Sequence, residues 1–76
     1  MTILELKKVL DENNIPRNLY NLEMSGLKDQ RICVEKTENG WNVYYSERGQ
    51  KFDLKRYFSE HDACMDLLQR LLALKK

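Results

Sequence analysis

The stretch Trp41-Asn42-Val43-Tyr44-Tyr45 constrains this chain more than any other. Its side chains alternate as a half-buried strand requires, and it holds three of the seven aromatic residues (one Trp, four Tyr, two Phe). Turn signals flank it on both sides, Asn39-Gly40 before and Arg48-Gly49 after. That places it in the middle of a three-stranded antiparallel meander. The strand before it runs from Arg31 to Lys36, with Ile32 and Val34 on one face and Cys33 and Glu35 on the other. Asn-Gly between alternating strands predicts a type I′ hairpin. A two-residue loop at Asn39-Gly40 pairs Glu38 with Trp41, Lys36 with Val43 and Val34 with Tyr45. Ile32 and Val34 then share a face with Trp41, Val43 and Tyr45, whereas a three-residue loop would split the two sets. The second hairpin turns at Glu47-Arg48-Gly49-Gln50, where Gly49 supplies the residue with positive φ. The third strand follows over Lys51 to Tyr57, and Phe52 and Leu54 join the same apolar face. The opposite face shows Cys33, Glu35, Asn42, Tyr44, Asp53 and Lys55.

Helices are expected before and after the meander. Thr2 is a good N-cap with Glu5 three residues on, and Ile3, Leu6, Val9 and Leu10 form one stripe, so a helix spans Ile3 to Asn13. Pro16 biases Ile15 toward extended backbone and ends it. Ser59 with Asp62 opens a second helix whose stripe is Cys64, Leu67, Leu68, Leu71 and Leu72, with Leu74 at its margin. Its acidic first turns (Glu60, Asp62, Asp66) and its Lys75-Lys76 end both suit the helix dipole. Between Arg17 and Gln30, Tyr20, Met24 and Leu27 fit a helical stripe, while Tyr20 and Leu22 also alternate as an extended piece. Ser25-Gly26 marks a turn, and the stretch reads as an ordered connection over one edge of the core. The fold class is therefore α+β in the order α-β-β-β-α, a three-stranded antiparallel meander with two helices on one face, in a single domain spanning 1–76.

Size and charge narrow the function. A chain of 76 residues buries only about 60–65% of its unfolded surface, which suits a binding surface better than a deep catalytic cleft. Net charge is +1 with no single-sign block, unlike a nucleic-acid domain or a basic membrane-surface helix. No apolar run is long enough to span a bilayer. Met1-Thr2-Ile3-Leu4-Glu5 lacks a basic leader and a cleavage signal, which predicts a cytoplasmic chain. Cys33 and Cys64 fall on different elements and read as free thiols. Two Cys and one His do not make a zinc site.

No catalytic or cofactor-binding constellation emerges. His61 lies in an exposed first helical turn with no nucleophile beside it. Cys33 sits near Glu35 and Asp53, which disfavour a thiolate. The three glycines are isolated turn residues, and no phosphate loop is present. Trp41 and Tyr45 read as core or core-rim residues. Tyr44 stands on the outer face among charges, where an aromatic can anchor a partner or can simply cover its strand neighbours. The element order also occurs in double-stranded-RNA-binding domains. There, lysines at the start of the second helix grip phosphate, and here that end carries Glu60, His61, Asp62 and Asp66.

From Tyr20 onward the chain resembles a family of small bacterial proteins, mostly of Firmicutes. The similar pieces are Tyr20-Asn21-Leu22, Cys33-Val34-Glu35-Lys36, Gly40 to Gly49 (Gly-Trp-Asn-Val-Tyr-Tyr-Ser-Glu-Arg-Gly), Phe52-Asp53-Leu54-Lys55, and Ser59-Glu60 with Ala63-Cys64. Arg56-Tyr57 and Lys28-Asp29 depart from the family pattern. Members look like immunity proteins of polymorphic toxin systems or are uncharacterised. The resemblance implies a non-catalytic inhibitor that binds a toxin directly, without a cofactor and as a monomer or weak dimer. Partner contact is expected on the outer face and hairpin ends, at Glu35, Glu38, Tyr44, Glu47, Arg48 and Asp53. Four acids among those six would suit a basic toxin domain. Two rivals stand beside this reading: a double-stranded-RNA-binding-like module, and a domain that self-associates through a bare sheet edge.

Overall fold

The computed structural model describes residues 1–22 and 30–74. Helix α1 spans Ile3–Glu12 and α2 spans Glu60–Leu74. A short 3-10 turn, Arg17–Leu19, leads into β1 (Tyr20–Asn21). Strands β2 (Arg31–Thr37), β3 (Gly40–Glu47) and β4 (Gln50–Tyr57) follow. The sheet order is β1-β2-β3-β4, with β1 parallel to β2 and the other pairs antiparallel. The fold is thus α+β with a four-stranded mixed sheet. The meander is present, but the three-strand expectation is corrected by β1. Tyr20 and Asn21 pair with Ile32 and Cys33, so the extended option for Tyr20 is the one taken. The expected Ser25-Gly26 turn, the Met24/Leu27 stripe and Lys75-Lys76 lie outside the described residues.

Both helices bury their stripes with one sheet face. Leu6 and Leu10 of α1, Ala63, Cys64, Leu67, Leu68 and Leu71 of α2, and Ile32, Val34 and Val43 of the sheet form one core with Ile15 and Tyr20. Leu72 and Leu74, expected in or beside the α2 stripe, are exposed instead. The Thr2 hydroxyl accepts the Glu5 N–H at 3.3 Å, as the N-cap pattern requires. Glu60 Oε2 accepts the Ile3 N–H at 2.9 Å, so α2 supplies an acceptor to an orphan donor of α1. Ser59 Oγ accepts the Asp62 N–H at 3.0 Å. Ser59→Ala should therefore cost about 1 kcal/mol in a denaturant titration.

The hairpins exchange the turn chemistry expected of them. Thr37 pairs with Gly40, so the first loop is Glu38-Asn39, and neither residue has positive φ. Lys36 rather than Glu38 faces Trp41, and Val34 faces Val43. The register differs from expectation by two residues, which preserves parity and leaves the face assignments intact. The type I′ turn forms at Arg48-Gly49, with φ of 52° and 77°. Gly40 serves a different purpose. It has φ of 154°, and a Cβ there would collide with the Tyr57 carbonyl oxygen. It is the point where β3 passes closest to the end of β4.

On β4 the alternation breaks. Tyr45 faces Phe52, but Val43 faces Lys55, with a bulge between. Asp53 absorbs it at φ 53°, a conformation that Asp tolerates better than most residues. Lys55 therefore takes the register place expected of Leu54, on the helix side of the sheet.

Candidate functional site

The expected partner surface assumed an open outer face around Tyr44. The structure corrects that assumption. Tyr44 is 1% exposed and Cys33 2%, and Asn21 and Ser46 beside them are buried too. Glu35 is half-buried in the same cluster. Its Oε1 accepts from Asn42 Nδ2 at 3.1 Å and from Lys51 Nζ at 3.2 Å. The Lys51 ammonium also sits 4.7 Å from the centre of the Tyr44 ring, a cation–π contact worth about 0.5–1 kcal/mol. Burial first, and then the charge and hydrogen bonding of the neighbouring Cys33 and Glu35, together push the Tyr44 phenol up to about 12. A buried, hydrogen-bonded tyrosine with its ring under a lysine is a packing element. It cannot touch a partner in this conformation.

The other expected contact residues do not share one face. Glu38 lies exposed in the β2–β3 loop, whereas Glu47 and Arg48 lie at the opposite end of β3. At about 3.3 Å per residue the length of β3 separates them by roughly 25 Å. Asp53 stands at the bulge, and its carbonyl accepts from Arg70 Nη2 at 2.8 Å. The structure brings Glu35 and Tyr44 together and sets Asp53 across from Tyr44 at the bulge. The four acids form no continuous acidic patch, and Glu35 is already matched by Lys51.

Arg70 belongs to a network that ties α2 to β4. Its Nε meets Asp66 Oδ1 at 3.0 Å, and the Tyr57 hydroxyl donates to Asp66 Oδ2 at 2.7 Å. Burial and, after it, the Asp66 hydrogen bond together push the Tyr57 phenol up to about 12. Burial likewise pushes the Cys64 thiol up to about 11, with Glu60 next in effect. All three groups hold their protons more tightly in the fold than in the unfolded chain. The unfolded chain ionises first on raising pH, so stability present below about pH 9 should fall between roughly pH 9 and 12. Tyrosinate absorbance and far-ultraviolet dichroism should change together in that window. Ionisation of every tyrosine at its ordinary pH with the fold intact would contradict the burial.

Cys33 and Cys64 are both free, as expected of thiols on separate elements, and both are buried, Cys33 against the expectation of an open face. Among the described residues no group of three His, Cys, Asp or Glu side chains could hold a metal ion. His61 is exposed, with Nδ1 2.8 Å from the Met1 amine. Among the described residues no helix is long and apolar enough to cross a membrane.

What the sequence reading missed is the exposure of β4, a strand it did place. Every residue from Gln50 to Arg56 is exposed. Phe52 is 43% exposed, Leu54 39%, and Phe58 just beyond the strand 93%. Phe52 touches Tyr45 with ring centres 6.4 Å apart but is not covered. Among the described residues neither Lys55 nor Arg56 has an ion pair. The available signal was Leu54-Lys55-Arg56-Tyr57-Phe58 itself, apolar and basic side chains crowded at the end of a terminal strand. No family model matches this chain, and no curated protein or solved structure matches it either.

Proposed function

We propose that this chain is a non-catalytic protein-binding domain, an immunity-type inhibitor that acts by occupying a toxin. The observation that carries the binding reading is the exposure of Phe52 and Leu54 on one terminal strand and of Phe58 just beyond it. Large apolar side chains grouped on a small domain are a common mark of partner contact. The inhibitor form comes from the family resemblance of the Gly40–Gly49 stretch. Ionisable groups near the core support the same reading. Tyr44, Tyr57 and Cys64 are shifted toward their neutral forms, which suits packing and not proton transfer near neutral pH.

The rival readings gain less. β1 occupies the outer edge of β2, so that edge is closed over two residues. Self-pairing along β4 would set the cations Lys51, Lys55 and Arg56 against a second set, across a bulge. For double-stranded RNA, the start of α2 remains acidic, with Glu60 engaged by α1. The test is a pull-down with the tagged chain from its native lysate, with and without nuclease. One stoichiometric protein that survives nuclease is the expected result. Co-purified nucleic acid that disappears with nuclease would replace the proposal with the RNA reading.

A further inference from the structure

The protein-binding reading leaves open which part of the surface engages and what chemistry it accepts. We infer that the free edge of β4 receives an extended, acidic segment of the partner protein, adding a strand beside Leu54 to Tyr57. This rests on the proposal above and deepens it.

Position is the first argument. β4 is the last strand in the sheet order, so its outer edge has no strand partner among the described residues. Its side chains are exposed on both sides of the backbone up to Arg56. An edge strand of this kind offers main-chain donors and acceptors to a partner strand. The bulge at Asp53 divides the edge, and Arg70 already takes the Asp53 carbonyl. That leaves Leu54, the second residue of the bulge, and the regularly paired Lys55 to Tyr57 as the part able to receive a strand.

Charge is the second argument, and it selects the occupant. Lys55 and Arg56 are exposed and have no ion pair among the described residues. They project on opposite faces of β4, since Lys55 faces Val43 in register and Arg56 faces Asn42. A strand laid along this edge therefore meets a cation on each face. Glu or Asp at neighbouring positions on the incoming strand would satisfy both. The same two cations repel a second copy of β4. Leu54 and Phe58 give the incoming strand apolar contact as well. A single-stranded nucleic acid would also meet cations and an aromatic ring. It would leave Leu54 without an apolar neighbour and has no peptide groups to pair with the edge, so the protein strand fits better.

The test is an NMR titration of the isotope-labelled chain with three probes. These are a short synthetic peptide alternating Glu with Leu and Phe, the same peptide with Lys for Glu, and an oligothymidine. The Glu peptide should shift the amides of Leu54 to Phe58 and slow their hydrogen exchange. The Lys peptide should not. The charge reversals Lys55→Glu and Arg56→Glu alter exposed side chains and should leave the free spectrum folded. Each should weaken Glu-peptide binding by about tenfold. Shifts on another surface, or binding indifferent to both reversals, would overturn the edge assignment while leaving protein binding intact. Shifts at β4 with oligothymidine alone would overturn both readings. Concentration-dependent shifts at β4 without any probe would show that a second copy takes the edge.

Discussion

Tyr44→Ala should remove a large share of the stability of this chain. Tyr44 is among the largest fully buried side chains, at 1% exposure. Deleting a buried aromatic ring costs about 3–5 kcal/mol. At roughly 0.05–0.15 kcal/mol per residue, a domain of this length has only about 4–11 kcal/mol to lose. The substitution also strips the ring from beneath Lys51 and leaves Glu35 without its phenol neighbour. Tyr44→Phe keeps the ring and removes only the hydroxyl, so it should cost about 1 kcal/mol. Urea titrations of the two variants measure this directly. An exposed binding anchor would behave differently, since Tyr44→Ala would then leave stability within about 0.5 kcal/mol of the parent.

Gly40→Ala should be the most damaging change that adds a single carbon. Two costs combine at this position. The backbone φ of 154° is one that residues with a Cβ rarely adopt, and the added Cβ would strike the Tyr57 carbonyl oxygen. Strained backbone and overpacking each cost roughly 1–3 kcal/mol. A total loss of about 3 kcal/mol would lower the melting temperature by roughly 12–24 °C in a domain this small. Gly49→Ala makes the control. Nothing lies within 4 Å of a Cβ there, so only the left-handed backbone penalty of about 1 kcal/mol applies. A Gly40→Ala variant as stable as Gly49→Ala would show that β3 and the end of β4 do not approach as described.

The legible parts of this fold were those written in local pattern. Thr2 and Ser59 marked both helix starts because capping needs only a few consecutive residues. The Ile32/Val34 and Trp41/Val43/Tyr45 faces were also readable, since a period of two survives a register change of two. Three features were hidden, each for a physical reason. Asn39-Gly40 looked like a type I′ turn, but Gly40 is required for the close pass against Tyr57, and that long-range contact has no local signature. The bulge at Asp53 replaced Leu54 with Lys55 opposite Val43, and an Asp in left-handed backbone carries no sequence mark as clear as glycine. The third concerns the outer face. Alternation places Tyr44 away from the helices, and that was equated with solvent. Cys33, Asn42, Tyr44 and Ser46 carry no charge, and this lack of charge was the available sign of burial. Tyr44 entered the candidate contact residues by that equation, and the structure holds it against Glu35 as a packing partner.

The most direct test is the affinity of the captured partner for Arg56→Glu and Tyr44→Phe, compared with the parent chain by titration calorimetry. Binding through the β4 edge predicts a loss of about tenfold or more for Arg56→Glu and near-parental affinity for Tyr44→Phe. The reverse pattern, with Tyr44→Phe crippled and Arg56→Glu unchanged, would contradict the account and return the interface to the face that Tyr44 closes.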